Sequence, residues 1–297
     1  MDSFHCHSED KTNNMTPPTN KTGKVAVVLG ARGGTGKQIV HRLCERPSEE
    51  ISEIRAVLRD NNSSNQGYKE LFPKDDRVIV HIGDVTDLES LRPAFKNANY
   101  IFNATSGSGS KSAKIVEQVD RDSVGETAKL VAQEFSDSVE RYVLVTSQLV
   151  HPSNKWHPVR IMLNTVVTGV FSPKGVMDFK WEGEELLRNS GIPYTIVRPG
   201  HLIDGPYPGG HTIKVQVGQT NKSFSSGNGI ARSDVAEVCI AAAMSDKAKN
   251  TTFELSVEKQ KEGSTAKPAQ EPPLVIPEDL FDNLHPRYLE TKENVKE

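Results

Sequence analysis

The chain has 297 residues, a formal net charge of -3 and 35% hydrophobic residues. That balance offers no polycationic face to nucleic acid or to an anionic membrane, and no apolar run nears the roughly 20 residues of a membrane helix. Three cysteines, Cys6, Cys44 and Cys239, are odd in number and far apart, which excludes a disulfide framework and fits a reducing compartment.

In chain order, residues 1–23 are polar and rich in Pro, Asn and Thr, the composition of a disordered tail. Their start, "MDSFHCHSED", holds acids and no apolar stretch, unlike a secretory signal or an Arg-rich transit peptide. The expected location is cytoplasmic, with a plastid left open. His5, Cys6 and His7 lack a second ligand pair at zinc spacing, so no metal is expected.

From residue 24 to 257, strand-length runs alternate with amphipathic stretches. The runs are "VAVVLG", "IRAVLR", "VIVHIGD", "YIFNAT", "RYVLVTS" and "YTIVRPG", with "TTFELSV" as a late strand. They are continuously apolar rather than alternating, as when helices cover both faces of a parallel sheet. "KQIVHRLCER" and "VDRDSVGETAKLVAQEF" read as helices, and "SDVAEVCIAAAM" as a later helix with Ser233 as N-cap. The expected fold is α/β, a doubly wound, mostly parallel Rossmann sheet in one domain, with small C-terminal elements on the substrate side. Residues 258–297 read as a charged, Pro-rich, mostly disordered tail. Its apolar patch "PLVIPEDLFDNL" either docks on the body or a partner, or shares the tail's lack of structure.

The sharpest local signal is Gly30, Gly33 and Gly36, spaced G-x-x-G-x-x-G between the first strand and the first helix. One glycine makes the tight turn, one lets the backbone approach a pyrophosphate, and one permits close helix–strand packing. Gly34 and Thr35 lie in the same seat, where bare helix N–H groups and the positive dipole end favour an anion. The second strand ends in Arg59, and Arg32 lies inside the turn. Two guanidiniums suit a 2′-phosphate, so NADP is the expected cofactor. The alternative is NAD, with Asp60 on the ribose and Arg59 a solvated charge. Asp84, in "GDVTD", is placed to cover an adenine and cap the next helix. "NATSGSGS" (residues 103–110) ends the fourth strand with small residues, leaving room for a nicotinamide ribose.

By their order, "VLGARGGTG", "GDVTD", "RYVLVTS", "SGIPYTIVRPGHL" and "IARSDVAEVC" resemble the short-chain dehydrogenase/reductase superfamily in its atypical branch. "GVMDFKWEGEELLRNSGIPYTIVRPGHLIDGP" is similar to the NmrA-like/Tic62-like NAD(P)-binding proteins and to the NAD(P)-binding parts of photosystem assembly factors. Residue by residue, the resemblance implies that Gly30, Gly33 and Gly36 hold the pyrophosphate and Arg32 and Arg59 the 2′-phosphate. Asp84 and Val85 would line the adenine, and Ala104 and Thr105 the cofactor's middle. Ser147 and Lys180 match the active-site Ser and Lys, the Lys on the nicotinamide ribose. Pro199, Gly200, His201 and Leu202 would pass the carboxamide.

One departure bears on catalysis. The family's general acid/base Tyr stands four residues before the Lys, where this chain has Val176. His151, His157 and Tyr207 are substitute candidates, and His201 faces either cofactor or substrate. The insertion "HPSNKWHPVRIMLNTVVTGVFSPKGV" is apolar enough to pack as a lid or short helix over the nicotinamide, or to serve only stability or self-association. Two functions follow: an NADP(H)-dependent oxidoreductase of a small-molecule substrate, or a catalytically weak NADP(H)-sensing regulator or assembly factor acting on a protein partner.

Overall fold

The computed structural model describes residues 23–59, 70–205, 212–217, 229–258 and 276–284. Its strands are β1 (Lys24–Leu29), β2 (Ile51–Leu58), β3 (Val78–Ile82), β4 (Tyr100–Asn103), β5 (Arg141–Val145) and β6 (Tyr194–Pro199). The last four are β7 (Leu202–Ile203), β8 (Thr212–Val217), β9 (Ile230–Ala231) and β10 (Thr251–Glu258). Among the described residues the main sheet has the order β3-β2-β1-β4-β5-β6-β10-β8. All its pairings are parallel except that of β8 with β10.

The helices are α1 (Gly34–Cys44), α2 (Leu88–Phe95), α3 (Ala113–Glu117), α4 (Ser123–Glu134), α5 (Pro158–Thr168), α6 (Val176–Arg188) and α7 (Arg232–Met244). A π-helical turn, Gln118–Asp122, joins α3 to α4. The continuous apolar run of β1 has the expected cause, whereas β3, at the sheet edge, leaves Ile79, Val80 and Ile82 exposed. In β1, Ala26 and Val28 pack with Ile39, Val40 and Leu43 of α1 and Val235 and Val238 of α7. Val27 and Leu29 face the other way, onto Phe95 of α2, Val131 of α4 and Leu187 of α6. This alternation of side-chain direction makes a strand covered on both faces apolar throughout.

Chain direction across the sheet reverses at β1, which lies between β2 and β4. The crevice outside the carboxyl ends of β1 and β4 is therefore the topological switch point, where such sheets bind ligands. The doubly wound single-domain class is thus observed. Some local expectations need correcting. The last helix begins at Arg232 with Ala231 as N-cap, because Ser233 already lies inside the first turn. The helix expected over "VDRDSVGETAKLVAQEF" starts within a π turn. Of the patch "PLVIPEDLFDNL", residues 276–284 dock on the body. Phe281 and Leu284 are buried, and the Phe281 ring lies 5.8 Å from that of Phe253. The rest of both tails lies outside the described residues.

Candidate functional site

At the switch point the glycine turn forms one wall of a cleft of about 380 Å3. Gly30, Arg32 and Gly33 face Leu58 and Arg59 from the end of β2, Gly83 to Val85 after β3, and Ala104 to Gly107 after β4. Gly30 has φ +72°, and a Cβ there would lie 3.0 Å from the Ala104 carbonyl oxygen. This position requires glycine on both counts. At Gly36 a Cβ would lie 2.2 Å from the Gly30 carbonyl oxygen, so α1 rests directly on the turn. Gly33 donates its N–H to Gly30 O at 2.9 Å and is the N-cap of α1, with no side chain to cap the helix. The first turn of α1 also holds no acid. A bare, positively polarised helix end therefore meets a cleft floored by backbone. These are the features a pyrophosphate needs, and a dinucleotide fits the cradle that side chains would fill.

Arg32 and Arg59 are both exposed and line the same cleft. Asp84 and Val85 line it too, but the Asp84 carboxylate does not cap α2. Its Oδ1 accepts from the Thr86 N–H at 2.9 Å and the Thr86 hydroxyl at 2.8 Å, closing an Asx turn, and the N-cap is Asp87. Thr105 donates its hydroxyl to Asn103 Oδ1 at 2.7 Å, and Asn103 Nδ2 donates to the buried Tyr142 hydroxyl at 2.9 Å. The β4 rim is thus anchored into the core. Gly34, Thr35 and Gly36 are not part of the cleft lining; Gly34 is exposed at the start of α1, and Thr35 and Gly36 are buried. Asp60 and Tyr207 lie outside the described residues.

Lys180, on α6, is buried, and its Nζ donates to Asp120 Oδ1 at 2.6 Å. The other oxygen of Asp120 accepts from the Gly107 N–H at 2.9 Å, on the cleft wall. A carboxylate of the π turn therefore ties Lys180 to the Gly107 wall of the cleft. Gly183 makes this possible: a Cβ there would lie 2.3 Å from the Asp120 carbonyl oxygen. π turns recur at functional sites, and this one aims Asp120 at α6. Asp120 and Gly183 are functional positions not expected from the sequence, and Gly107 was expected only as one of the small residues 103–110. Two signals were available: an acid four residues from both Val116 and Val124 on an apolar stripe, and a glycine inside a helix.

Ser147 is half-buried just beyond β5. Its neighbour Thr146 donates to Glu184 Oε1 at 2.6 Å. Burial pushes the Glu184 carboxyl up, but the Arg198 and Arg188 guanidiniums more than offset this and hold it at about 2. Val176 is buried against Val116, Val150, Met177 and Phe179, so a core contact stands at the Tyr position. His151 is buried, its Nδ1 accepting from the Ser153 N–H at 3.1 Å and its ring edge-on to Trp181. His157 accepts from the Val159 N–H at the start of α5. Both histidines cap local turns. The insertion forms α5, which touches α6 beside the turn at Ser108–Ser110, but most of the apolar residues expected to pack stay exposed, among them Trp156, Ile161, Met162, Val166 and Val170. Arg160 fixes it, donating from Nη1 to the carbonyls of Leu149, Val150 and His151 and from Nη2 to Asp178. Gly200 donates to Leu255 O at 3.1 Å, Leu202 pairs with Ile230 in the β7–β9 ladder, and His201 is exposed. With Pro199, at the end of β6, they stand outside the cleft lining.

The chain belongs to the NAD(P)H-binding family, whose model matches residues 30–246. This bears out the resemblance to atypical short-chain dehydrogenases. An uncharacterized chloroplastic protein of Arabidopsis thaliana is 29% identical over 81% of this chain and 72% of its own. Sanguinarine reductase of Eschscholzia californica is 25% identical over 82% of this chain and 93% of its own. A short-chain dehydrogenase/reductase of Veillonella parvula, solved in complex with NADP, superimposes with a TM-score of 0.54 at 18% identity, covering 83% and 99% of the two chains. Among the described residues no helix is long and apolar enough to cross a membrane.

Proposed function

We propose that the chain is an NADP(H)-dependent oxidoreductase acting on a small molecule. The observation that carries the reading is the shared cleft of the glycine turn, Arg32 and Arg59. Gly30, Gly33, Gly34, Thr35 and Gly36 would form the pyrophosphate seat, Gly33 by closing the turn onto Gly30 and residues 34–36 by the main-chain N–H groups at the start of α1, and the two arginines would hold the 2′-phosphate. Asp84 and Val85 would flank the adenine, and Ala104 and Thr105 the centre of the cofactor. When bound, a nicotinamide supplies or accepts a hydride. Lys180, fixed by Asp120, contributes a positive charge and a donor near the Gly107 rim, and Ser147 a hydroxyl at the end of β5. Without a Tyr hydroxyl at Val176, the proton exchanged with substrate comes from water or from the substrate itself. The reductase among the relatives and the NADP-bound neighbour support this choice.

The buried Val176 and the engagement of Lys180 with Asp120 favour a second reading, in which the protein binds NADP(H) and signals to a protein partner with little turnover. One experiment separates the two. The purified chain is titrated with NADPH and NADH, then assayed for NADPH oxidation with quinones, flavins and enones. Tighter NADPH binding with oxidation by an acceptor is the expected result. Binding without oxidation selects the sensor, and binding of neither nucleotide overturns both. Location is a choice between cytoplasm and plastid, because the Arabidopsis relative is named chloroplastic, and a fluorescent fusion decides it.

A further inference from the structure

Beside the glycine turn stands a cation that the reading above leaves unused. Arg232 opens α7, and its side chain crosses the start of α1. A Cβ at Gly34 would lie 2.7 Å from both Cδ and Nε of Arg232. Gly34 is the first residue of α1, so this guanidinium lies against a positive helix end. Helix N-termini stabilise anions and disfavour cations. The first turn of α7 carries its own acid, Asp234, whereas that of α1 has none. A cation placed against the bare end of α1 is electrostatically unfavourable until an anion joins it.

In the structure the counter-charge is Asp204. Arg232 Nη1 donates to Asp204 Oδ1 at 2.7 Å. The Asp204 side chain is 88% exposed and that of Arg232 25%. Exposed ion pairs of this kind are weak and readily exchanged. A dinucleotide pyrophosphate at the α1 N-terminus offers a stronger, multiply charged partner, and a guanidinium matches its oxygens in forked geometry. It would also restore electrostatic balance at the helix end.

We propose that Arg232 is a pyrophosphate ligand of the cofactor, and that Asp204 is the stand-in anion which the pyrophosphate displaces. The assignment rests on the reading that the glycine turn seats a dinucleotide. It adds a residue about 200 positions away in the chain, on a different helix, and explains why residue 34 has no side chain.

The test is equilibrium titration of the full chain with NADPH and NADH, for wild type, Arg232→Gln, Asp204→Asn and the double variant, with thermal melts alongside. The pyrophosphate is common to both nucleotides. Arg232→Gln should therefore raise both dissociation constants by a similar factor of about ten, the low end for a charged hydrogen bond at a partly exposed site. It should also flatten the salt dependence of binding. Asp204→Asn removes the competitor and should tighten both nucleotides, a gain that vanishes in the double variant. That gain is independent of any destabilisation by the Arg232 change. An Arg232→Gln variant within twofold of wild type, a loss confined to NADPH, or weaker binding by Asp204→Asn would overturn the assignment. A wild type that binds neither nucleotide would overturn the cofactor reading and this assignment with it.

Discussion

Asp120→Asn should destabilise the protein by about 3 kcal/mol, toward the low end for stranding one partner of a buried ion pair. The magnitude comes from the geometry. The carboxylate spans two donors, Lys180 Nζ at 2.6 Å and the Gly107 N–H at 2.9 Å. The side chains of Lys180 and Asp120 are only 11% and 2% exposed, so solvent screens the ammonium little once its partner is neutral. A carboxamide has one acceptor oxygen and keeps one contact at most, which places the loss below that of full truncation. Adding Lys180→Met removes the stranded charge and should recover more than half of the stability. Urea unfolding at neutral pH, followed by far-UV circular dichroism, reads all three variants against wild type. A loss below about 1 kcal/mol for Asp120→Asn, or a double variant no more stable than the single, would show that the Asp120–Lys180 pair is not a buried, unscreened ion pair.

Arg59→Ala should weaken NADPH by about 1.5–3 kcal/mol and leave NADH nearly unchanged, and an equal loss for both would remove Arg59 from phosphate recognition. Gly183→Ala brings a Cβ to 2.3 Å from the Asp120 carbonyl oxygen. Because that neighbour is backbone, the overpacking should fall toward the upper end of about 1–3 kcal/mol and, against about 1 kcal/mol gained in helix propensity, leave a net loss of up to about 2 kcal/mol in a thermal melt. Glu184 carries a pH signature. Its folded-state carboxyl is lowered from 4.5 to about 2, so its contribution is whole above pH 4.5 and is lost as pH falls through 2. At about 1.4 kcal/mol per pH unit this amounts to about 3 kcal/mol, and Glu184→Gln should flatten the stability profile across that window.

The sheet was legible because a strand buried on both faces has no polar phase. Val25 to Leu29 and Tyr142 to Val145 announce it without any tertiary information. The glycine turn was legible because a backbone shape excludes all other residues at Gly30 and Gly36. Arg59 was found by its place at the end of β2. What escaped depends on contacts between distant segments. Asp120 and Lys180 are 60 residues apart, and only the close passage at Gly183 brings them together. Arg232 meets Gly34 because α1 and α7 pack side by side. The alternation in "TIKVQV" signals the antiparallel edge strand β8, but the neighbouring Gly, Pro and Asn residues masked it. His151 and His157 show the converse. Their residue type suggests chemistry, while local geometry spends their Nδ1 atoms on turn caps.

Gly33→Asp places a carboxylate in the phosphate seat itself. Gly33 has φ -67° and ψ 159°, a conformation open to any residue, and a Cβ there meets only the Gly30 carbonyl oxygen at 3.2 Å. Asp is also a favourable N-cap, worth a few tenths of a kcal/mol over Gly. The expected result is a folded variant that melts near wild type, the cap gain offsetting a shift of the Gly30 carbonyl by a few tenths of an ångström, with NADPH binding abolished because a carboxylate occupies the phosphate seat. A folded Gly33→Asp variant that binds NADPH with wild-type affinity would contradict the account.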